Sequence, residues 1–199
     1  MDTNIKTNCS EVFPIVMGVN EQTLCNGHPN AQVAPENVTC SALLLKVLDD
    51  NFGIIRAFFT TTNSGAHSPI LTDADTARMI GQVLPDLRGL VDGNTLAVAS
   101  QSTDFVTITA ELRTIVTPPE LRNAFLRYAD GPFKGLLAFH SEPVAASQVI
   151  GQLKSAIFDA SAARVINNNL VQIAAFYDAA ACHPARILEF KKIYHTNNE

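Results

Sequence analysis

The chain has 199 residues, of which 17% are charged and 47% hydrophobic, with a formal net charge of −5. A soluble chain usually has about a quarter of its residues charged, so much of this surface must be Thr, Asn, Ser, Ala and exposed apolar groups. The acidic balance, with no Lys/Arg cluster, excludes nucleic acid as a partner, and the length suits one domain that folds without metal or disulfide staples.

Residues 1–36 hold Pro14, Pro29, Pro35 and one short apolar run, Val12–Met17, and read as an extended arm; residues 37–199 read as a single α+β domain. Lys6 is the only basic side chain in the first 45 residues, so a protein partner or a second copy of the chain is expected to sit against the N-terminal third. The start, Met1-Asp2-Thr3-Asn4, lacks the basic and apolar regions of a signal peptide, and no apolar run reaches the roughly 18 residues that cross a bilayer. The expectation is a cytoplasmic chain with no membrane partner.

Ser41–Leu48 and Gly53–Thr60 are nearly continuous apolar runs around Asp49-Asp50-Asn51, a pattern that predicts a hairpin covered on both faces. Thr72 or Asp73 can cap a helix with Ala77, Ile80, Val83, Leu84 and Leu87 on one stripe, interrupted at Pro85. A second hairpin joins Thr95–Ser100 to Phe105–Val116, with Thr107 and Thr109 on its polar face. Thr117-Pro118-Pro119-Glu120 is a capping box opening a helix to about Ala129. Gly135–His140 reads as a short buried strand, and residues 143–165 as a helix stopped by Asn167-Asn168-Asn169. Residues 170–181 leave strand and helix both open, whereas Ile187–Tyr194 reads as a strand with Lys191-Lys192 on a solvated edge. Together these predict a mainly antiparallel sheet built from hairpins, packed with three or more helices.

The candidate chemistry is sparse. Cys9, Cys25, His28 and Cys40 could supply three thiols and an imidazole to zinc, but only Cys25 and His28 are tightly spaced, so unligated thiols are expected. His140-Ser141-Glu142 has the His-x-Glu spacing of zinc deaminases and lacks their downstream cysteine pair. A thiol enzyme would need Cys182 beside an imidazole; His140 is the candidate, because His183 adjoins Cys182 and would point to the other face of a strand. No Gly-x-Gly, Gly-Lys-Ser/Thr or Gly-x-Ser-x-Gly loop occurs, so neither cofactor nor metal is expected. The leading reading is a non-enzymatic protein that self-assembles or binds another protein, such as a structural component of a viral or phage particle. The alternative is a small enzyme or ligand-binding domain with a pocket near His140 and Cys182, or lined by Thr107 and Thr109.

Overall fold

The computed structural model describes residues 12–26, 30–64, 70–73, 75–98 and 103–196, with the backbone alone for 25, 26, 70–73, 195 and 196. The core is built around one helix, α1 (Glu36–Phe52), in which every residue from Val38 to Leu45, together with Val47 and Leu48, is buried. Leu and Ala are strong helix formers, Glu36 sits in the first turn where the helix dipole favours an anion, and Gly53 ends the helix at φ 67° with its N–H on the Asp49 carbonyl. A helix that is apolar all round must be buried all round.

The sheet beside α1 runs in the order β4-β5-β3-β6-β10-β8-β7, with β9 hydrogen-bonded to β10. These strands are β3 (Ile54–Ser64), β4 (Ile70–Asp73), β5 (Val91–Val98), β6 (Asp104–Leu112), β7 (Leu137–His140), β8 (Ala156–Asp159), β9 (Arg164–Ile166) and β10 (Leu170–Tyr177). The pairs β3/β5 and β7/β8 are parallel, and the rest are antiparallel. Alternation is clean in β6 and β10: Val106, Ile108, Ala110, Val171, Ile173 and Ala175 are buried under the helices, and the intervening residues face outward. Helices α2 (Thr76–Val83), α3 (Pro118–Asp130) and α4 (Ala179–Thr196) all pack on α1, on the same side of the sheet. Phe125 of α3 stacks on Phe158 of β8 with ring centroids 3.9 Å apart, tying that edge to the core.

Several expectations are corrected. The sheet is mixed, not a mainly antiparallel stack of hairpins, and four α-helices occur among the described residues. Residues 41–48 are helix: a buried apolar run carries no period to separate strand from helix, and the Leu-rich composition decides it. β5 and β6 do not pair as the expected second hairpin, because β3 inserts between them and pairs with both. The helix expected over 143–165 is an irregular segment with a single 3-10 turn, Ala146–Gln148, followed by β8 and β9. Ile187–Tyr194 belongs to α4, so Lys191 and Lys192 lie on a helix rather than a strand edge. The capping box at Thr117 and Glu120 is present as read.

The segment read as an arm contributes β1 (Phe13–Ile15), a 3-10 turn at Glu21–Asn26 and β2 (Ala31–Val33), with Ile15, Val16 and Met17 buried in the core. Among the described residues the exposed large apolar side chains are spread along the chain, from Val12, Ile55 and Phe58 to Leu153, Ile166 and Leu188, so they do not single out the N-terminal third as the partner surface. Among the described residues no helix is long and apolar enough to cross a membrane.

Candidate functional site

β3 and β10 finish, and β6 begins, at one end of the sheet, where the N-termini of α1 and α4 also arrive. The turn after β10 explains the second arrival. Asp178 accepts from the Ala181 N–H at 3.2 Å and from the Gly151 N–H at 2.8 Å, capping α4 and holding it beside the 141–155 segment. Five residues on, His183 Nδ1 meets Glu36 Oε1 of α1 at 3.1 Å. The two side chains are 31% and 27% exposed, so solvent and small solutes reach this pair. Asn37 beside it donates to the Thr76 hydroxyl at 2.9 Å, locking α1 to α2.

Beneath the pair the groups are closed off. Cys40, one turn along α1 from Glu36, is fully buried, and Cys182 on α4 is 2% exposed; both are free thiols. Burial pushes the Cys40 thiol well above its ordinary range, and the neighbouring Cys182 adds to the shift. Burial pushes Cys182 up to about 12, with Glu36 and Asp178 adding and Arg186 opposing. Tyr177, buried at the end of β10, is raised as well, by burial first and then by the negative groups around it. Asp104, at the start of β6, accepts from the Ser64 N–H at 2.7 Å, yet burial still raises its pKa, helped by Glu36 and Asp178. Three carboxylates thus share this end of the sheet with one imidazole and the buried Arg186, whose guanidinium is tied to Glu189 at 2.8 Å.

A nucleophilic cysteine works as its thiolate and is found where positive surroundings lower its pKa. Both thiols here are driven the other way, toward the inert neutral form. The Glu36–His183 pair differs: a carboxylate holding one ring nitrogen fixes the imidazole, which can then take or give a proton.

Of the residues singled out in the sequence, Cys182 lies in this cluster and His140 does not. His140 ends the edge strand β7, its carbonyl accepting from the Ala160 N–H at 2.9 Å, while the charged groups acting on Cys182 are Glu36, Arg186 and Asp178. The structure therefore does not unite His140 and Cys182. Of the four zinc candidates, Cys40 is buried in α1, Cys25 is described by its backbone alone, and Cys9 and His28 lie outside the described residues. No metal-holding group of three His, Cys, Asp or Glu occurs among the described residues. Glu36 and the role of His183 were missed, because a contact between residues 147 apart leaves no local pattern and His183 was set on a strand where the chain forms a helix.

A concavity lies on the outward face of the sheet, toward the other end of the strands. It is a groove of about 640 Å³ lined by Arg56, Phe58, Leu90, Thr109, Glu111 and Leu170, among others. Thr109 comes from the Thr-rich face read in the sequence.

A family model described as "Glyceraldehyde 3-phosphate dehydrogenase, C-terminal domain" matches residues 65–179, more than half of the chain. Among curated proteins, the chain is 29% identical over 200 residues to a glyceraldehyde-3-phosphate dehydrogenase of Priestia megaterium, covering 90% of this chain and 60% of that protein. It is 30% identical over 195 residues to the one of Mastigamoeba balamuthi, covering 87% of the chain and 58% of the relative. For Geobacillus stearothermophilus the identity is 29% over 204 residues, with 90% and 60% covered. The chain thus spans about 60% of the length of these relatives. The matches overturn the expectation of a non-enzymatic structural or virion protein, since the similar proteins carry an enzyme's name.

Proposed function

The chain belongs to the glyceraldehyde 3-phosphate dehydrogenase C-terminal domain family, and on that premise we propose that it is a small-aldehyde-binding enzyme domain whose working group is the Glu36–His183 pair and not a cysteine thiolate. The observation that carries this reading is the contrast within one cluster. The imidazole–carboxylate pair is open to solvent, while both described thiols are buried and held protonated. A bound aldehyde at this end of the sheet would meet a proton donor or acceptor in His183, with Glu36 orienting the ring.

The ligand class comes from the relatives' name, and its form from the local charge. Glu36, Asp104 and Asp178 disfavour a dianionic phosphate beside them, so unphosphorylated glyceraldehyde is expected to bind at least as tightly as its 3-phosphate. A dehydrogenase also needs a hydride acceptor; the sequence has no Gly-x-Gly loop of the dinucleotide type, and no residue of this chain is assigned to holding one.

Titration calorimetry with glyceraldehyde and with glyceraldehyde 3-phosphate tests the reading. His183→Ala and Glu36→Gln are expected to weaken binding about tenfold or more, and Cys182→Ser to leave it within about twofold. Binding that survives His183→Ala unchanged, or that vanishes with Cys182→Ser in a folded variant, refutes it.

A further inference from the structure

The groove on the outward face of the sheet combines an apolar floor with polar side chains whose hydrogen-bonding capacity is unused. Its floor is Phe58, 49% exposed, together with Leu90 and Leu170. Arg56 commits one of its five N–H donors, Nε, to Glu111 Oε2 at 2.7 Å, and its side chain is 78% exposed. Asp92 accepts from the Gly93 N–H at 2.8 Å through Oδ1 and has no partner on Oδ2 among the described residues. The Thr109 hydroxyl and the Asn167 and Asn169 amides make no side-chain hydrogen bond among the described residues either. A groove of about 640 Å³ is within the range of about 300–1,000 Å³ typical of small-molecule sites, which pair an apolar lining with a few convergent polar groups.

Strand register fixes the spacing of these groups. Phe58 pairs with Asp92 of β5 and with Thr109 of β6, and Arg56, two residues earlier on β3, pairs with Glu111. Paired side chains share a face about 5 Å apart, and alternate residues along a strand lie about 7 Å apart. Phe58 therefore has a carboxylate to one side, a hydroxyl to the other and a guanidinium at one end. The turn between β9 and β10 is left-handed at Asn167, φ 49°, and Asn168, φ 63°, a conformation Asn tolerates, and it brings the amides of Asn167 and Asn169 to the groove wall. At the opposite wall Gly89 has φ 77°, and a Cβ there would meet nothing within 4 Å, so the groove is open on that side.

The charges select against an ionic ligand. Glu111 and Asp92 repel an anion drawn to Arg56, and Arg56 repels a cation drawn to Asp92 or to the face of Phe58. The complementary molecule is neutral, with one apolar face for the aromatic ring and, around its edge, groups that both donate and accept hydrogen bonds. We propose that the groove is a carbohydrate site, in which the C–H face of a pyranose lies on Phe58 and its hydroxyls bond Asp92, Thr109 and Arg56. One hydroxyl donates to Asp92 Oδ2, another accepts from an Arg56 N–H, and a third does either with the Thr109 hydroxyl. This site is separate from the Glu36–His183 pair, which lies at the other end of the strands. A ligand of about a dozen heavy atoms in a half-open groove has an expected dissociation constant on the order of 1 mM.

The experiment is saturation-transfer difference NMR on the full chain with methyl β-D-glucopyranoside, a glycoside without a free aldehyde, titrated from about 0.1 to about 20 mM. Saturable transfer is expected, unequal between the ring face that carries H1, H3 and H5 and the face that carries H2 and H4. Phe58→Ala and Asp92→Ala, both at exposed positions, should each weaken binding about tenfold, and Phe58→Tyr should keep it within about twofold, each with the circular dichroism spectrum of the parent. Tetramethylammonium and benzoate, the cationic and anionic probes of the same groove, should bind about tenfold more weakly than the glycoside or worse. Absence of transfer up to the highest concentration, equal transfer to both faces, binding unchanged in Phe58→Ala or Asp92→Ala, or either ion binding as well as the glycoside overturns the proposal. Glyceraldehyde binding measured on the same variants is expected to be unchanged, since Glu36 and His183 lie on the helix-covered side, so failure of the groove is distinguishable from failure of that site.

Discussion

Alkylation with iodoacetamide discriminates between a thiol enzyme and the acid–base reading, and Cys182 is the residue to follow. Its pKa stands at about 12 against an ordinary 9.0, so at neutral pH its thiolate population is about 1,000-fold lower than that of an unperturbed thiol. A more basic thiolate is a better nucleophile, with a Brønsted slope of about 0.4–0.5, and three units return roughly 20-fold. The net expectation is a rate about 50-fold below that of a free cysteine, before burial slows it further. Peptide-resolved mass spectrometry across pH 7 to 10 reads the rate at each cysteine separately. Cys182 should react slowly and without a plateau in that range. Fast alkylation with an apparent pKa below about 8 would show a thiolate stabilised by its surroundings and sink the reasoning.

Cys182 and Tyr177 are acids whose folded pKa values lie above their unfolded ones, so their contribution is complete below about pH 9 and is lost as pH rises toward 12; urea titrations should show stability falling across that window, with at most about 4 kcal/mol from Cys182. Phe125→Ala removes the ring stacked on Phe158 in the core and should cost about 3–5 kcal/mol in the same assay. Gly93→Ala should cost about 1–3 kcal/mol, because the new Cβ would strike the Phe59 carbonyl and ring across the β3/β5 pair; an unchanged urea midpoint would show that β5 shifts freely.

Where the sequence carried a local chemical signature, the structure could be read from it. Thr117, Pro118 and Glu120 specify the start of α3 by hydrogen bonds within four residues, and the alternation of Phe105 to Leu112 specifies β6. Where the signal was burial alone, it was misleading. Residues 41–48 and 187–194 are apolar enough for either element, and their helical state depends on what surrounds them. Strand order was likewise invisible, since a polar stretch between β5 and β6 looks like a hairpin turn whether or not β3 lies between them. The site suffered most. Cys182 was noticed for its element and proved to be buried, whereas Glu36 and His183 acquire meaning only when α1 and α4 bring their first turns together.

The position of β10 has a consequence for how the chain is made. Although it follows every other strand of the sheet in the sequence, it is not an edge: it lies between β6 and β8 and joins the two sides of the sheet. Until residues 170–177 emerge, β6 shows one unpaired flank, and β7 with β8 has no attachment to the rest of the sheet. Half-made chains therefore present open strand edges of the kind that pair with wrong partners, and completion of the fold waits on contacts distant in sequence. A chain cut before Leu170 would lose the middle of its sheet, so the pairing of residues 170–177 decides whether the two sides become one sheet.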